Sequence, residues 1–293
     1  MIRYSINDLE KLTGIKAHTI RMWEKRYNII SPERTQTNIR YYNNDDLKKL
    51  LNISALNKHG HKISKIARMN EEAIREKVMD ISGSNGDHDV MISNLILSMI
   101  SFREDSFEHI LNSAILKLGF EQTVIKVLYP FLEKIGVLWQ TGSINPAQEH
   151  FIVNLIRQKL IIAIDGQSKP PSDNSKSFLL FLPEQEFHEL GLLFYNFLLK
   201  KNGHKVVYLG QSVPFRDVEE VVRVRNVDYL FTYFVAALSK LELPEYIQKM
   251  SESFPDKKIF VTGLQVQGDY IKLPKNIRFV KNTESFKDLL NEL

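Results

Sequence analysis

The 293-residue chain contains no cysteine. Disulfides, thiolate metal sites, iron–sulfur clusters and cysteine nucleophiles are therefore excluded. It also lacks any run of about 18 apolar residues, the length a membrane-spanning helix needs. Its opening, MIRYSINDLE, carries charge where a signal peptide needs an apolar stretch. Neither a membrane partner nor a leader is read from it, and a cytoplasmic protein is expected. What is present is an ordinary globular mixture, 43% apolar and 25% charged, long enough for about two domains of typical size.

The net charge of +4 is unevenly spread. Residues 1–70 hold 14 Lys/Arg against 6 Asp/Glu, a balance of +8, and residues 71–293 carry −4. A basic head on a mildly acidic body suits a polyanionic partner.

The head reads as a winged helix-turn-helix. Ser5 caps a helix with an apolar face of Ile6, Leu9 and Leu12, and Gly14 stops it. A second short helix, from about Ala17 to Arg26, turns Ile20 and Trp23 inward and presents His18, Thr19, Arg21, Met22, Lys25 and Arg26 outward. Such side chains reach phosphates and base edges in a major groove. Pro32 and the polar run Glu33 to Asn38 then form a turn, with Arg34, Arg40 and Tyr41 placed as a phosphate-holding wing. Helices over Asp45–Asn57 and Ile63–Met69 follow. A small helical domain with a solvated basic face explains the charge but not this order of elements.

The stretch from Tyr4 to Met69 resembles the DNA-binding domain of the MerR family of transcription regulators. The resemblance is carried by Ile6, Leu9, Thr13, Gly14, Thr19, Ile20, Arg21, Trp23, Glu24, Tyr27, Pro32, Arg34, Arg40, Tyr42 and Leu47. It implies double-stranded promoter DNA as partner, bound by a self-associated protein at near-palindromic sites. Many such regulators dimerise through a long helix after the head. Here Ser82-Gly83-Ser84-Asn85-Gly86-Asp87 interrupts any such helix, so a dimer or tetramer has to form elsewhere.

Beyond that linker, residues 88–167 carry helix-period patterns over Val90–Ile100, Phe102–Leu118, Glu121–Trp139 and Pro146–Ile164, with Pro130 set to kink or divide the third. Four helices with short connections imply an antiparallel bundle. Gln167 to Ser175 is a linker by composition. From Ser177 the pattern alternates between strands (Phe178–Leu182, Lys205–Leu209, Tyr229–Val235, Lys258–Val261, Arg278–Val280) and helices (Glu189–Lys201, Phe215–Arg225, Pro244–Ser251, Glu284–Leu290). That alternation indicates an open, Rossmann-like parallel sheet, whose ligands sit beyond the carboxyl ends of the strands. The expected architecture is thus multidomain: winged helix-turn-helix over 1–76, central four-helix bundle over 88–167, and α/β domain over 176–293.

Glu186, His188 and Gly191 follow the first strand, Thr232 and Phe234 end the third, and Thr262-Gly263 end the fourth. This half resembles the cobalamin-binding domain shared by methionine synthase and methylmalonyl-CoA mutase, whose pattern is Asp-x-His-x-x-Gly, Ser-x-Leu and Gly-Gly. The resemblance implies that His188 ligates cobalt in place of the cofactor's own base. It further implies that Glu186 takes the other ring N–H and that the freed nucleotide tail inserts into the α/β domain past Gly191. Glu186 departs from Asp, Thr232 and Phe234 from Ser and Leu, and Thr262 from Gly.

In the bundle, Trp139 is followed after nine residues by Glu149-His150. That spacing, between such a head and such a domain, resembles the light-sensing, adenosylcobalamin-dependent repressors of carotenoid genes. It implies that Trp139 packs on the adenosyl group, with Glu149 and His150 nearby, and that oligomer formation follows the cofactor. Gln140 stands where photoreceptor members can carry a His. The expected function is a non-enzymatic repressor governed by adenosylcobalamin (or another cobalamin) and by light. One alternative is a MerR-type regulator that has lost cobalamin and answers another ligand or a partner protein. A corrinoid carrier for methyl transfer or mutase chemistry is a third reading, but it needs a substrate barrel that a 70-residue head cannot supply.

Overall fold

Ser5 starts the first helix, α1 (Ile6–Thr13), with a reciprocal cap: its hydroxyl accepts the Asp8 amide at 3.2 Å while Asp8 accepts the Ser5 amide at 2.7 Å. Gly14, at φ 71°, ends the helix in the left-handed conformation that glycine adopts without strain. Glu10 then reaches across the turn, accepting the Ala17 amide at 2.9 Å, so its carboxylate sits at the start of α2 (Ala17–Tyr27). The computed structural model describes residues 3–35, 37–83, 88–140, 144–167, 170, 175–239, 242–267 and 271–292.

Strands β1 (Glu33–Arg34) and β2 (Arg40–Tyr41) pair antiparallel as the wing, and a Tyr4–Tyr42 bridge ties the wing's base to the chain start. Helices α3 (Asn44–Lys58), α4 (Ile63–Ile66) and α5 (Glu71–Gly83) complete the head around buried Leu9, Leu12, Ile20, Trp23, Leu47 and Leu50. α5 corrects the sequence reading, which stopped the head's helices at Met69 and placed a linker from Ser82. Ser82 and Gly83 are helical, and Ser84 to Asp87 lie outside the described residues.

The middle comprises α6 (His88–Ile100), α7 (Glu104–Leu118), α8 (Phe120–Thr123), α9 (Tyr129–Gln140) and α10 (Pro146–Asp165). Between α8 and α9 runs a π-helical turn, Val124–Leu128, closed by the Tyr129 amide on the Val124 carbonyl. Pro130 was expected to kink or divide this helix. The pattern is divided: the wider turn lies directly before the proline, where it accommodates the missing donor and the bulk of the ring. The linker expected over Gln167 to Ser175 lies mostly outside the described residues.

The last part is a parallel five-stranded sheet in the order β4-β3-β5-β6-β7, formed by β3 (Ser177–Pro183), β4 (Lys205–Val213), β5 (Tyr229–Tyr233), β6 (Lys258–Thr262) and β7 (Ile277–Phe279). Its helices are α11 (Leu190–Lys201), α12 (Phe215–Val224), α13 (Glu242–Ser253) and α14 (Thr283–Asn291). One face of the sheet packs Leu179, Phe181, Leu230, Ile259 and Val261 on Val218, Leu243, Ile247 and Met250. The other is aromatic: Phe178 stacks on Tyr229 at 4.9 Å, and Tyr195 and Phe286 meet Phe231 at 4.6 and 5.3 Å. Because β3 connects first to β4 and then β5 lies on its other side, the strand order reverses between β3 and β5, and a crevice opens at their carboxyl ends. By packing, the chain divides into two units, Met1–Leu155 and Ile156–Leu293.

Candidate functional site

In the head, α2 buries Ile20 and Trp23 and leaves His18, Arg21, Met22, Lys25 and Arg26 exposed, with Thr19 half-buried. These are the outward residues expected from the sequence. The wing residues are more engaged than expected. Arg40 Nε donates to Glu24 Oε1 at 3.2 Å, fastening the wing to α2. Arg34 Nη1 donates to Asn38 at 2.7 Å, and the Tyr41 hydroxyl donates to Glu33 at 2.5 Å beneath the Arg3 guanidinium. Gln36, within the expected turn, lies outside the described residues.

In the helical middle, Trp139 stands on the last turn of α9 with 47% of its surface exposed, unusual for the largest apolar side chain. Asn145 and Gln148 cap the start of α10 reciprocally, and the buried Gln148 amide donates to the Ile100 carbonyl at 3.1 Å. Gln148 thus anchors the helix inward, while Glu149 is half-buried and His150 exposed. The side chain of Gln140 lies outside what is described.

The crevice between β3 and β5 is organised by Glu186, which is fully buried. Its Oε1 accepts the Phe187 and His188 amides at 3.1 and 3.2 Å and His188 Nδ1 at 2.5 Å. Its Oε2 accepts the three successive amides of Val235, Ala236 and Ala237 at 2.9, 2.8 and 3.1 Å, an anion-holding nest. Burial alone would push this carboxyl up. The hydrogen bonds from His188 and from the Ala236, Val235 and His188 amides outweigh it and hold the group at about 2. One ionised carboxylate therefore clamps the loops after β3 and β5 together. With Nδ1–H donated to it, the His188 ring carries its lone pair on Nε2, on a side chain 55% exposed.

The other expected residues are placed less uniformly. Gly263, at φ 111°, is required by the backbone: a Cβ there would lie 2.1 Å from the Phe234 carbonyl oxygen. Thr262 Oγ1 donates to the Val280 carbonyl at 2.7 Å. Thr232 Oγ1 is buried without a hydrogen-bond partner, and strand alternation puts it on the face of Leu230 and Phe234. The β5 residue beside Gly191 is Tyr233, which the sequence reading did not single out. The parity of the strand is the signal that identifies Tyr233. Sequence reasoning also missed Ser212 and Gln211 at the end of β4. The Ser212 amide donates to the Glu186 carbonyl at 3.1 Å, and Gln211 Nε2 to the Phe187 carbonyl at 2.8 Å, so β4 holds the same loop from its other side.

As a receptor for a corrinoid, these residues fit at the cobalt: a half-exposed imidazole with one nitrogen fixed on a carboxylate is a suitable axial donor. Beside Gly191 the space is taken by the Tyr233 ring.

A helix-turn-helix head, a helical middle and a switch-point crevice define a DNA-binding regulator with a ligand-binding body. Residues 4–73 match the MerR HTH family regulatory proteins, and residues 91–163 match the B12 binding domain. The chain is homologous to the HTH-type transcriptional repressor CarH of Myxococcus xanthus, 25% identical over 258 residues (86% of this chain and 85% of CarH). It is likewise homologous to the repressor CarA of the same organism, 26% identical over 262 residues (88% of this chain and 86% of CarA). The monomethylamine corrinoid protein of Methanosarcina barkeri shares the fold, with TM-score 0.53 and 16% identity over 67% of this chain and 95% of that one.

Proposed function

We propose that this chain is a cobalamin-dependent transcription repressor whose hold on promoter DNA is relieved by light. The observation that carries the reading is the Glu186–His188 pair, buried carboxylate and half-exposed imidazole, at the switch point of the sheet. Homology to two repressors along most of the chain supports the regulatory half. His18, Thr19, Arg21, Lys25 and Arg26 meet the major groove, with Arg34 and Tyr41 on phosphate and Arg40 positioning the wing through Glu24.

When bound, adenosylcobalamin supplies a cobalt–carbon bond that visible light breaks. Among this chain's residues, His188 would offer Nε2 to the cobalt, with Glu186 holding the proton on Nδ1. Trp139, Glu149 and His150 of the helical middle, and Thr262 and Gly263 of the α/β domain, are the further residues that would hold the ligand. A ligand shifts an equilibrium only through its different affinity for the two states. Trp139, with its exposed ring, is the residue that would pack on the adenosyl group and lose that contact once the group is gone. Several heads held together gain DNA affinity through effective concentration. The protein acts in the cytoplasm without turnover, on carotenoid or other photoprotection genes. Among the described residues no helix is long and apolar enough to cross a membrane.

An absorption spectrum of protein mixed in the dark with adenosylcobalamin, desalted, and recorded before and after green light tests the reading. Retained corrin bands that vanish in His188→Ala, with a change in oligomer size on illumination, are expected. A colourless desalted protein sinks it and leaves a MerR-type regulator answering another signal. The Tyr233 ring against Gly191 is the observation favouring that second reading.

A further inference from the structure

The end of β5 and the first turn of α11 meet at Gly191. A Cβ built there would lie 2.7 Å from two ring carbons of Tyr233 and 3.2 Å from its hydroxyl oxygen. Side chains do not approach that closely, so the tyrosine occupies the space that the absent side chain leaves. Alternation along β5 places Phe231 and Tyr233 on one face, both against Tyr195, at 4.6 and 6.3 Å between ring centroids. Burial, then the nearby Glu186 charge, raises the Tyr233 hydroxyl, which stays neutral. The contact with Gly191 is made by the outer end of the ring. A rotation about the side-chain torsions therefore clears the space, whereas β5 itself is pinned by β3 on one side and β6 on the other.

On the corrinoid reading, the nucleotide tail would enter the α/β domain past Gly191, where the Tyr233 ring now lies. We infer that Tyr233 is a plug in the tail's slot, which a tail-bearing corrinoid must displace and a corrinoid lacking the nucleotide need not. The inference rests on the corrinoid reading proposed above. It assigns Tyr233 a role in choosing between ligands that offer His188 the same cobalt. The ring does this by steric occupancy, so removing the hydroxyl alone changes nothing and removing the ring opens the slot.

The test titrates the full chain in the dark with adenosylcobalamin and, separately, with adenosylcobinamide, which lacks the nucleotide. Binding is read by absorption for the wild type, Tyr233→Ala and Tyr233→Phe. Tyr233→Ala is expected to tighten adenosylcobalamin by about tenfold or more while adenosylcobinamide stays within about threefold. Tyr233→Phe should follow the wild type. Retained adenosylcobinamide binding shows that the Ala variant keeps its site. Equal shifts for both ligands, no shift for either, loss of both in Tyr233→Ala, or a Phe variant behaving like Ala overturns the plug. Those failures are distinct from failure of the corrinoid reading, in which neither ligand binds the wild type and His188→Ala changes nothing.

Discussion

Glu186 and His188 are two residues apart and carry different loads. The carboxylate has six donors on it, five of them backbone amides from two loops. Glu186→Gln exchanges one acceptor oxygen for an NH2 facing donors, and a loss of about 2–4 kcal/mol in unfolding free energy is expected by denaturant titration. His188→Ala removes a half-exposed ring and leaves the amide cradle intact. It should cost under about 1 kcal/mol while abolishing retention of the corrin bands. The acid response has a definite sign. A carboxyl held at about 2 when folded, below its ordinary value near 4.5, lends stability that is fully present above the ordinary value. That stability drains away as pH falls from there toward 2. Denaturation midpoints at pH 6 and pH 3 should differ in the wild type, and by less in Glu186→Gln.

At the scale of elements, the wing and α2 act together because Glu24 and Arg40 join them. Arg21→Ala, on the exposed face of α2, should weaken operator binding by about 1–3 kcal/mol. Arg40→Ala should weaken it without altering base preference, since it frees the wing rather than removing a reader; binding to shuffled operator sequences separates the two. Gly263→Ala puts a methyl group against the Phe234 carbonyl and forces a side chain to φ 111°, so a loss of about 3 kcal/mol is expected in thermal or denaturant unfolding. Much of this was readable from local chemistry. Ser5, Gly14 and Asn43 cap helices with groups two to four residues away, so the ends of α1 and the start of α3 stand in the sequence itself. α5 was not readable to its end, because Ser82 and Gly83 look like a linker by composition and yet lie in the helix. Tyr233 was missed for a different reason. The reading went by motif positions, Thr232 and Phe234, whereas the strand's two-residue period decides which side chain faces Gly191.

For the whole molecule, the charge split sets how DNA is held. A head at +8 on a body at −4 binds by displacing counterions from phosphate. Operator affinity should fall linearly on logarithmic axes as salt rises, with about 10³-fold lost between roughly 50 and 200 mM if six phosphates are neutralised. A flat salt response would place DNA elsewhere than the basic face. The sequence divided head and middle at a linker, yet the two pack into one unit, with Lys58 of α3 paired to Asp89 of α6 and α1 set against α9. α9 carries Trp139 on its last turn, and α1 hands over to α2 through Glu10. A slack tether would let either end rotate without informing the other. If the proposed ligand acts on Trp139, packed side chains rather than a length of loose chain lie between it and α2, so the middle would turn the head as a crank does.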